Sequence, residues 1–295
     1  MTTGDENTTR DSEQSDVEAL SEALLASVEE DAETADESGL PDAVITALAT
    51  MRKLGIDFVR RYHRLEIDSD AAIPGGPVLF VANHGFGGIF DLNVFAILAT
   101  FEDLNLDRPV TALTHQIAWT LQVGRFIEPF GARPASRRAA LEAFEKAEHV
   151  LVLPGGDIDA FKSFSDRDKI VFDGRTGFAR LAMDAGVPIV PIVTAGAGES
   201  LFVLSDGKRL AKALRLDKLL RTKALPVSVS LPWGLNVGAV GLLPYLPLPT
   251  KLLTSVLPAM SPTEGETPAE FAGRVEVAMQ KRLSLLARER RARSD

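Results

Sequence analysis

The sequence predicts an α/β fold: a mixed, largely parallel sheet flanked by helices. Three observations carry that expectation. Between residues 77 and 194 short apolar strands alternate with helical segments, the pattern of parallel strands joined by crossovers. Two of those strands, Val150–Leu153 and Val187–Thr194, are nearly unbroken apolar runs of the kind buried on both faces of a sheet. Capping residues fall where such a fold needs them, with Ser136 placed to start one helix and Gly186 to end another.

Taken in order, residues 1–39 read as an acidic disordered tail and residues 40–295 as the folded domain. Thirteen acidic side chains and a single basic one, Arg10, fall within residues 1–40, with little that a core would need. Val17–Glu30 has the spacing of a transient helix. Pro41 suits the opening of a helix whose apolar face is Val44, Ile45, Leu48, Met51, Leu54 and Phe58, and whose basic end is Arg60, Arg61, His63 and Arg64. A strand near Leu65–Ile67 and the strand beginning at Pro77 follow. Leu92–Phe101 reads as a helix, Pro109–Leu113 as a strand, and Trp119–Phe130 as irregular. Ser136 caps a helix through Lys146, and Phe178–Ala185 forms another. Val227–Leu231 and Lys251–Val256 are expected to close the sheet. Ser261–Pro268 reads as a linker, and Ala269–Arg293 as a final helix with Val275, Met279, Leu283 and Leu286 on one face.

Bulk composition narrows the function classes. The chain has no cysteine, which excludes a disulfide, a thiolate nucleophile and a Cys-based metal site together. The net charge of −9 is uneven: beyond residue 40 there are 31 basic and 28 acidic side chains, so a mildly basic body follows an acidic tail. Such a body approaches anionic lipid or phosphate where a uniformly acidic one is repelled. Residues 224–250 carry no charge over 27 positions, yet their longest proline-free run, Trp233–Leu243, is 11 residues, against roughly 20 for a spanning helix. The stretch is expected to lie on a bilayer without crossing it, with Trp233 and Tyr245 as interface residues. No secretory leader is visible, so the expected location is cytoplasmic, peripheral on the inner face of the membrane.

The chemistry converges on Asn83-His84-Gly85-Phe86-Gly87-Gly88-Ile89-Phe90-Asp91. His84 leaves the end of an apolar strand, where ligands collect in open α/β sheets, and the glycines allow a tight return. Asp91 has two available roles: partner to the His84 imidazole, or N-cap of the next helix. One carboxylate oxygen can serve each. The spacing alone decides nothing, because acidic residues fill 41 of 295 positions. Rival motifs are incomplete. The glycine run lacks the last glycine of a dinucleotide fingerprint, and Gly198-Glu-Ser200 lacks the closing glycine of a nucleophile elbow. There is no P-loop and no His-Glu-x-x-His zinc motif; no metal is expected.

In these residues the chain resembles the glycerophospholipid (lysophospholipid-type) acyltransferase superfamily. Asn83-His84 with Asp91 resembles its first block, with two residues more than the usual spacing. Gly131–Arg138 resembles the second block, with Arg137 the best-placed arginine. Leu153-Pro154-Gly155-Gly156 resembles the third without its glutamate, and Val187–Ile192 resembles the fourth. The missing glutamate and the longer loop look most like the neutral-lipid, diacylglycerol acyltransferase-like subgroup.

The resemblance implies transfer of a fatty acyl group from acyl-CoA or acyl-ACP to a hydroxyl of a glycerolipid or other lipid alcohol. His84 and Asp91 would be catalytic, and Asn83, Arg133, Arg137, Arg138, Pro154, Gly155 and Gly156 substrate-binding. It also implies no bound cofactor beyond the acyl thioester co-substrate, a lipid acceptor and a membrane surface as partners, and no nucleic acid. Backbone N–H groups near Gly155-Gly156 or Gly85–Gly88 are candidate oxyanion donors. Two alternatives stay open: a catalytically silent lipid-binding or scaffold protein on the same fold, and an esterase-like hydrolase using the same base on water.

Overall fold

The computed structural model describes residues 40–69, 71–85, 91–120, 124–160, 162–207, 227–231, 233–237 and 245–293. The expected acidic tail, the transient helix within it and glycines 87 and 88 lie outside the described residues. Ten strands are described: β1 (Glu66–Asp68), β2 (Leu79–Ala82), β3 (Val110–Thr114), β4 (Ala132–Pro134), β5 (His149–Val152), β6 (Ile189–Ala195), β7 (Phe202–Ser205), β8 (Val227–Ser230), β9 (Gly234–Val237) and β10 (Leu253–Val256). The α-helices are α1 (Asp42–Arg61), α2 (Leu92–Leu104), the short α3 (Ile117–Thr120) and α4 (Gly124–Ile127), α5 (Arg137–Glu145), α6 (Gly156–Ala160), α7 (Gly177–Ala185) and α8 (Pro268–Ala292).

Seven strands form the main sheet in the order β1-β10-β6-β2-β5-β3-β4. The five from β6 to β4 are mutually parallel; β10 runs antiparallel to β6, and β1 parallel to β10. β2 is central, and all four of its side chains are buried, as its unbroken apolar sequence requires. Its alternation divides the core. Leu79 and Val81 pack with apolar side chains of α5, α7 and α8, whereas Phe80 and Ala82 cluster with Ile97, Phe101 and Leu104 of α2.

Local chemistry accounts for the helices. Ser136 accepts a hydrogen bond from the Ala139 N–H at the start of α5, and Gly186 ends α7 at φ 65°, a left-handed value suited to glycine. α8 opens with a capping box: the Thr267 hydroxyl accepts from the Glu270 N–H, and the Glu270 carboxylate returns to the Thr267 N–H. Its buried stripe of Phe271, Val275, Met279, Leu283 and Leu286 lies on the sheet, each side chain contributing roughly 1.5–3 kcal/mol. Among the described residues no helix is long and apolar enough to cross a membrane.

One expectation is corrected. β8 does not close the main sheet, although β10 does; β8 lies in a separate three-stranded antiparallel sheet of order β7-β8-β9. Val-Ser-Val-Ser alternation suits an edge of either sheet, and sequence periodicity carries no information on which partner a strand finds. The uncharged 224–250 stretch is thus partly this sheet and partly the approach to β10, with residues 224–226, 232 and 238–244 outside the described residues.

Candidate active site

Parallel pairing brings three strand ends to one edge. Val81 lies beside Val152 of β5 and Pro191 of β6, so Asn83-His84, Leu153-Pro154-Gly155 and Gly196 all leave the sheet at the same side. Open α/β sheets bind ligands at this carboxyl edge. Asn83 locks the arrangement. Its Oδ1 accepts from the Thr194 N–H at 2.9 Å, its Nδ2 donates to the Thr194 carbonyl at 3.0 Å, and its own carbonyl accepts from Asn93 Nδ2 at 2.9 Å. The side chain expected to touch substrate instead ties β2 to β6.

His84 and Asp91 meet. His84 Nδ1 and Asp91 Oδ2 are 2.9 Å apart, with the imidazole 20% exposed and the carboxylate 6%. Asp91 Oδ1 accepts from the Asn93 N–H at 2.9 Å and caps α2. Both roles considered for Asp91 therefore hold together, one on each oxygen. With Nδ1–H donating to a carboxylate, the second ring nitrogen, Nε2, is left as the basic atom.

The other histidines are differently placed. His63 Nδ1 donates to the Thr250 carbonyl, and His149 Nδ1 accepts from the Val78 N–H; both rings are fully buried, and burial pushes both pKa values down. His115 is exposed.

Beneath His84 lies a polar network that sequence reasoning missed. Asp159 Oδ2 accepts from the His84 backbone N–H at 2.7 Å, while its Oδ1 takes Lys162 Nζ at 2.8 Å and the Val171 N–H at 3.3 Å. Lys162 Nζ also donates to the carbonyls of Lys169 at 2.9 Å and His84 at 3.3 Å, so all three ammonium hydrogens have acceptors. Both residues are buried. A buried ion pair this well satisfied fixes the backbone that carries the imidazole. The available signal was Asp159 and Lys162, three residues apart among Ile158, Ala160 and Phe161, but Asp157 just before them offers the same charge.

Gly155 belongs to this network by shape. A Cβ there would stand 2.2 Å from the Asp159 Cβ and 2.6 Å from the Val171 carbonyl oxygen, so only glycine lets the turn close on Asp159. The Pro154 carbonyl accepts from Arg175 Nη1 at 2.8 Å. The Gly156 N–H donates to the Leu153 carbonyl, which assigns that donor to the turn and not to an oxyanion.

The three expected arginines stand elsewhere. β4 lies three strand positions from β2, about 14 Å away. Arg133 donates to the carbonyls of Glu128 and Ala132, and Arg137 pairs with Asp184 of α7. Arg138 is 88% exposed and pairs with Glu142 one turn on. Their partners are intramolecular, and none of these contacts reaches the His84 network.

Across the site, Tyr245 is buried with Leu201 and Val203; burial, reinforced by the Asp91 carboxylate, raises its phenol pKa to about 12. Among the described residues no cluster of His, Asp or Glu could hold a metal ion.

The chain is similar to several known proteins. The family described as Acyltransferase matches residues 57–195, a span that contains the whole His84 network. A chicken protein named "DGAT1/2-independent enzyme synthesizing storage lipids" is 30% identical over 52% of this chain and 45% of its own length. The chloroplastic phytyl ester synthase 1 of Arabidopsis thaliana is 29% identical over 48% of this chain and 21% of its own. The crystal structure of the 1-acyl-sn-glycerophosphate acyltransferase of Thermotoga maritima is similar with a TM-score of 0.49 at 15% identity, covering 86% of this chain and 87% of that one. The chain spans less than half the length of these two curated relatives. Through residues 57–195, the chain is similar to the family described as Acyltransferase.

Proposed function

We infer that the protein transfers a fatty acyl group from an acyl thioester, acyl-CoA or acyl-ACP, to a hydroxyl of a glycerolipid or other lipid alcohol. The observation that carries this reading is the 2.9 Å contact between a partly open His84 imidazole and a buried Asp91 carboxylate. His84 Nε2 takes the proton of the acceptor hydroxyl as its oxygen attacks the thioester carbonyl. The imidazolium so formed is stabilised by Asp91 through Nδ1–H. Collapse of the tetrahedral intermediate breaks the C–S bond, and the departing thiolate takes the proton back from Nε2. The products are the ester and the free thiol, with His84 regenerated and no covalent acyl-enzyme.

The third block of the family that the chain resembles has a glutamate where this chain has Gly155, and that departure puts a glycerol-phosphate acceptor in doubt and makes a less polar one plausible. The names of the chicken and Arabidopsis relatives, concerned with storage lipids and phytyl esters, point the same way. The mildly basic body supports a peripheral position on the inner face of a membrane, where both lipid and thioester are present.

The test is incubation with labelled acyl-CoA and acyl-ACP against a panel of diacylglycerol, long-chain alcohol, lysophospholipid and glycerol-phosphate acceptors, with His84→Ala as control. Labelled lipid ester made only by the wild type is the expected result. Labelled free fatty acid without ester would make the protein a hydrolase. No product above the control would leave a lipid-binding protein.

A further inference from the structure

The three-stranded sheet turns large apolar side chains outward on every strand. In register, Phe202 lies opposite Val229 and Val229 opposite Leu235, and these side chains are exposed together with Leu204, Leu231 and Trp233. Leu235 is 67% exposed and Leu204 61%. The inward side chains include Ser228 and Ser230, both buried, with the Ser230 hydroxyl accepting from Asn236 Nδ2. A half-buried antiparallel strand in water normally turns its apolar side chains inward and its serines outward. In β8 and β9 this order is reversed, β7 adds Phe202 and Leu204 to the same exposed face while Val203 points inward, and the described residues of β7, β8 and β9 carry no charge.

The sequence at the ends of these strands indicates what covers the face. The 19 residues from 208 to 226, which join β7 to β8, contain seven Lys or Arg and one Asp. The seven residues from 238 to 244, which join β9 to Tyr245, contain no charge. An apolar face with Trp233 at its hairpin turn and a strongly cationic connection between two of its strands matches a boundary between acyl chains and anionic headgroups. A second copy of the chain brings the same excess of Lys and Arg in this stretch and so offers it no complementary charge. The sheet also adjoins the site: Val203 of β7 packs on Tyr245, which lies within electrostatic reach of Asp91.

We propose that the outward face of β7, β8 and β9 seats the protein on an anionic lipid bilayer and so holds the His84–Asp91 pair against the membrane surface. Its purpose rests on the acyl-transfer reading, but its test requires no turnover, so either can fail alone.

The probe is phosphatidylcholine vesicles with and without phosphatidylglycerol, in a co-sedimentation assay. The wild type is expected to pellet with vesicles, more strongly with phosphatidylglycerol, and less as salt is raised. Leu204→Glu with Leu235→Glu is expected to lower the partition coefficient at least about tenfold, since two apolar side chains no longer enter the interface. Val277→Glu, at an exposed apolar position on α8, is expected to leave it unchanged. A second readout avoids the folding question: in Trp119→Phe protein the remaining tryptophan, Trp233, is expected to be quenched by brominated lipid. A wild type that stays in solution, a double variant that partitions like the wild type, or an unquenched Trp233 would each overturn the proposal. So would a dimer that the double variant dissolves while vesicle binding persists.

Discussion

His84 is defined by what holds it at three points: its ring at Asp91, its N–H at Asp159 and its carbonyl at Lys162. Asp91→Asn separates the two jobs of that side chain. Asparagine caps as well as aspartate, so stability should change by less than about 0.5 kcal/mol. Its amide would donate to Nδ1 and put the ring proton on Nε2, so turnover should fall roughly 10²–10⁴-fold. Thermal melting and initial rates on the same preparation check both. Lys162→Met strands a buried carboxylate and should cost about 3–5 kcal/mol in denaturant unfolding. The His84–Asp91 pair was legible because both residues sit in one short loop between recognisable elements. Asp159 was not, because its partner is a backbone N–H 75 residues away, and a main-chain donor leaves no mark in sequence. The arginines' intramolecular partners were not legible either: Arg137 meets Asp184, 47 residues away, and Arg138 meets Glu142 one turn on.

At the scale of elements, the longer helices and strands β1, β2, β3, β5, β6, β8 and β10 followed from capping and periodicity, whereas the short β4, β7, β9, α3, α4 and α6 did not; Ser136, Gly186 and Pro268 mark boundaries that the structure keeps. Strand partnership did not follow, since β7, β8 and β9 associate through backbone pairing that any alternating sequence supports. The end of α8 is held by one buried side chain. Arg290 reaches both Glu199 oxygens at 2.9 and 2.8 Å and donates to Thr250 Oγ1 at 2.7 Å and the Lys251 carbonyl at 2.6 Å. This bidentate contact holds the Glu199 carboxyl below its usual range. Arg290→Met should destabilise by about 3 kcal/mol, read by denaturant unfolding, with hydrogen exchange rising in the last turns of α8.

For the whole molecule, the expected α/β class holds because its signals, buried apolar strands alternating with helices, are distributed along the chain. The pH dependence of stability is likewise a sum over sites. His63 and His149 are buried as neutral rings with pKa values below the ordinary 6.5, so the unfolded chain binds more protons than the folded one as pH falls through that value. Their contribution is complete above about pH 6.5 and declines below it; Glu199, with its lowered pKa, adds a further loss below its ordinary value of 4.5. The melting temperature should therefore fall from pH 7 to pH 5, and a scan of thermal unfolding against pH checks it. A His149→Gln variant should show a shallower slope over the same range.

The central claim is that His84 Nε2 is the base that activates the acceptor hydroxyl. The direct measurement is the initial rate of ester formation by wild type and His84→Gln, on the acceptor that the wild type uses best, with both proteins shown to be folded by circular dichroism. The account predicts a loss of at least about 10²-fold in kcat. A His84→Gln enzyme within a few-fold of wild type would contradict it and place the base on another residue.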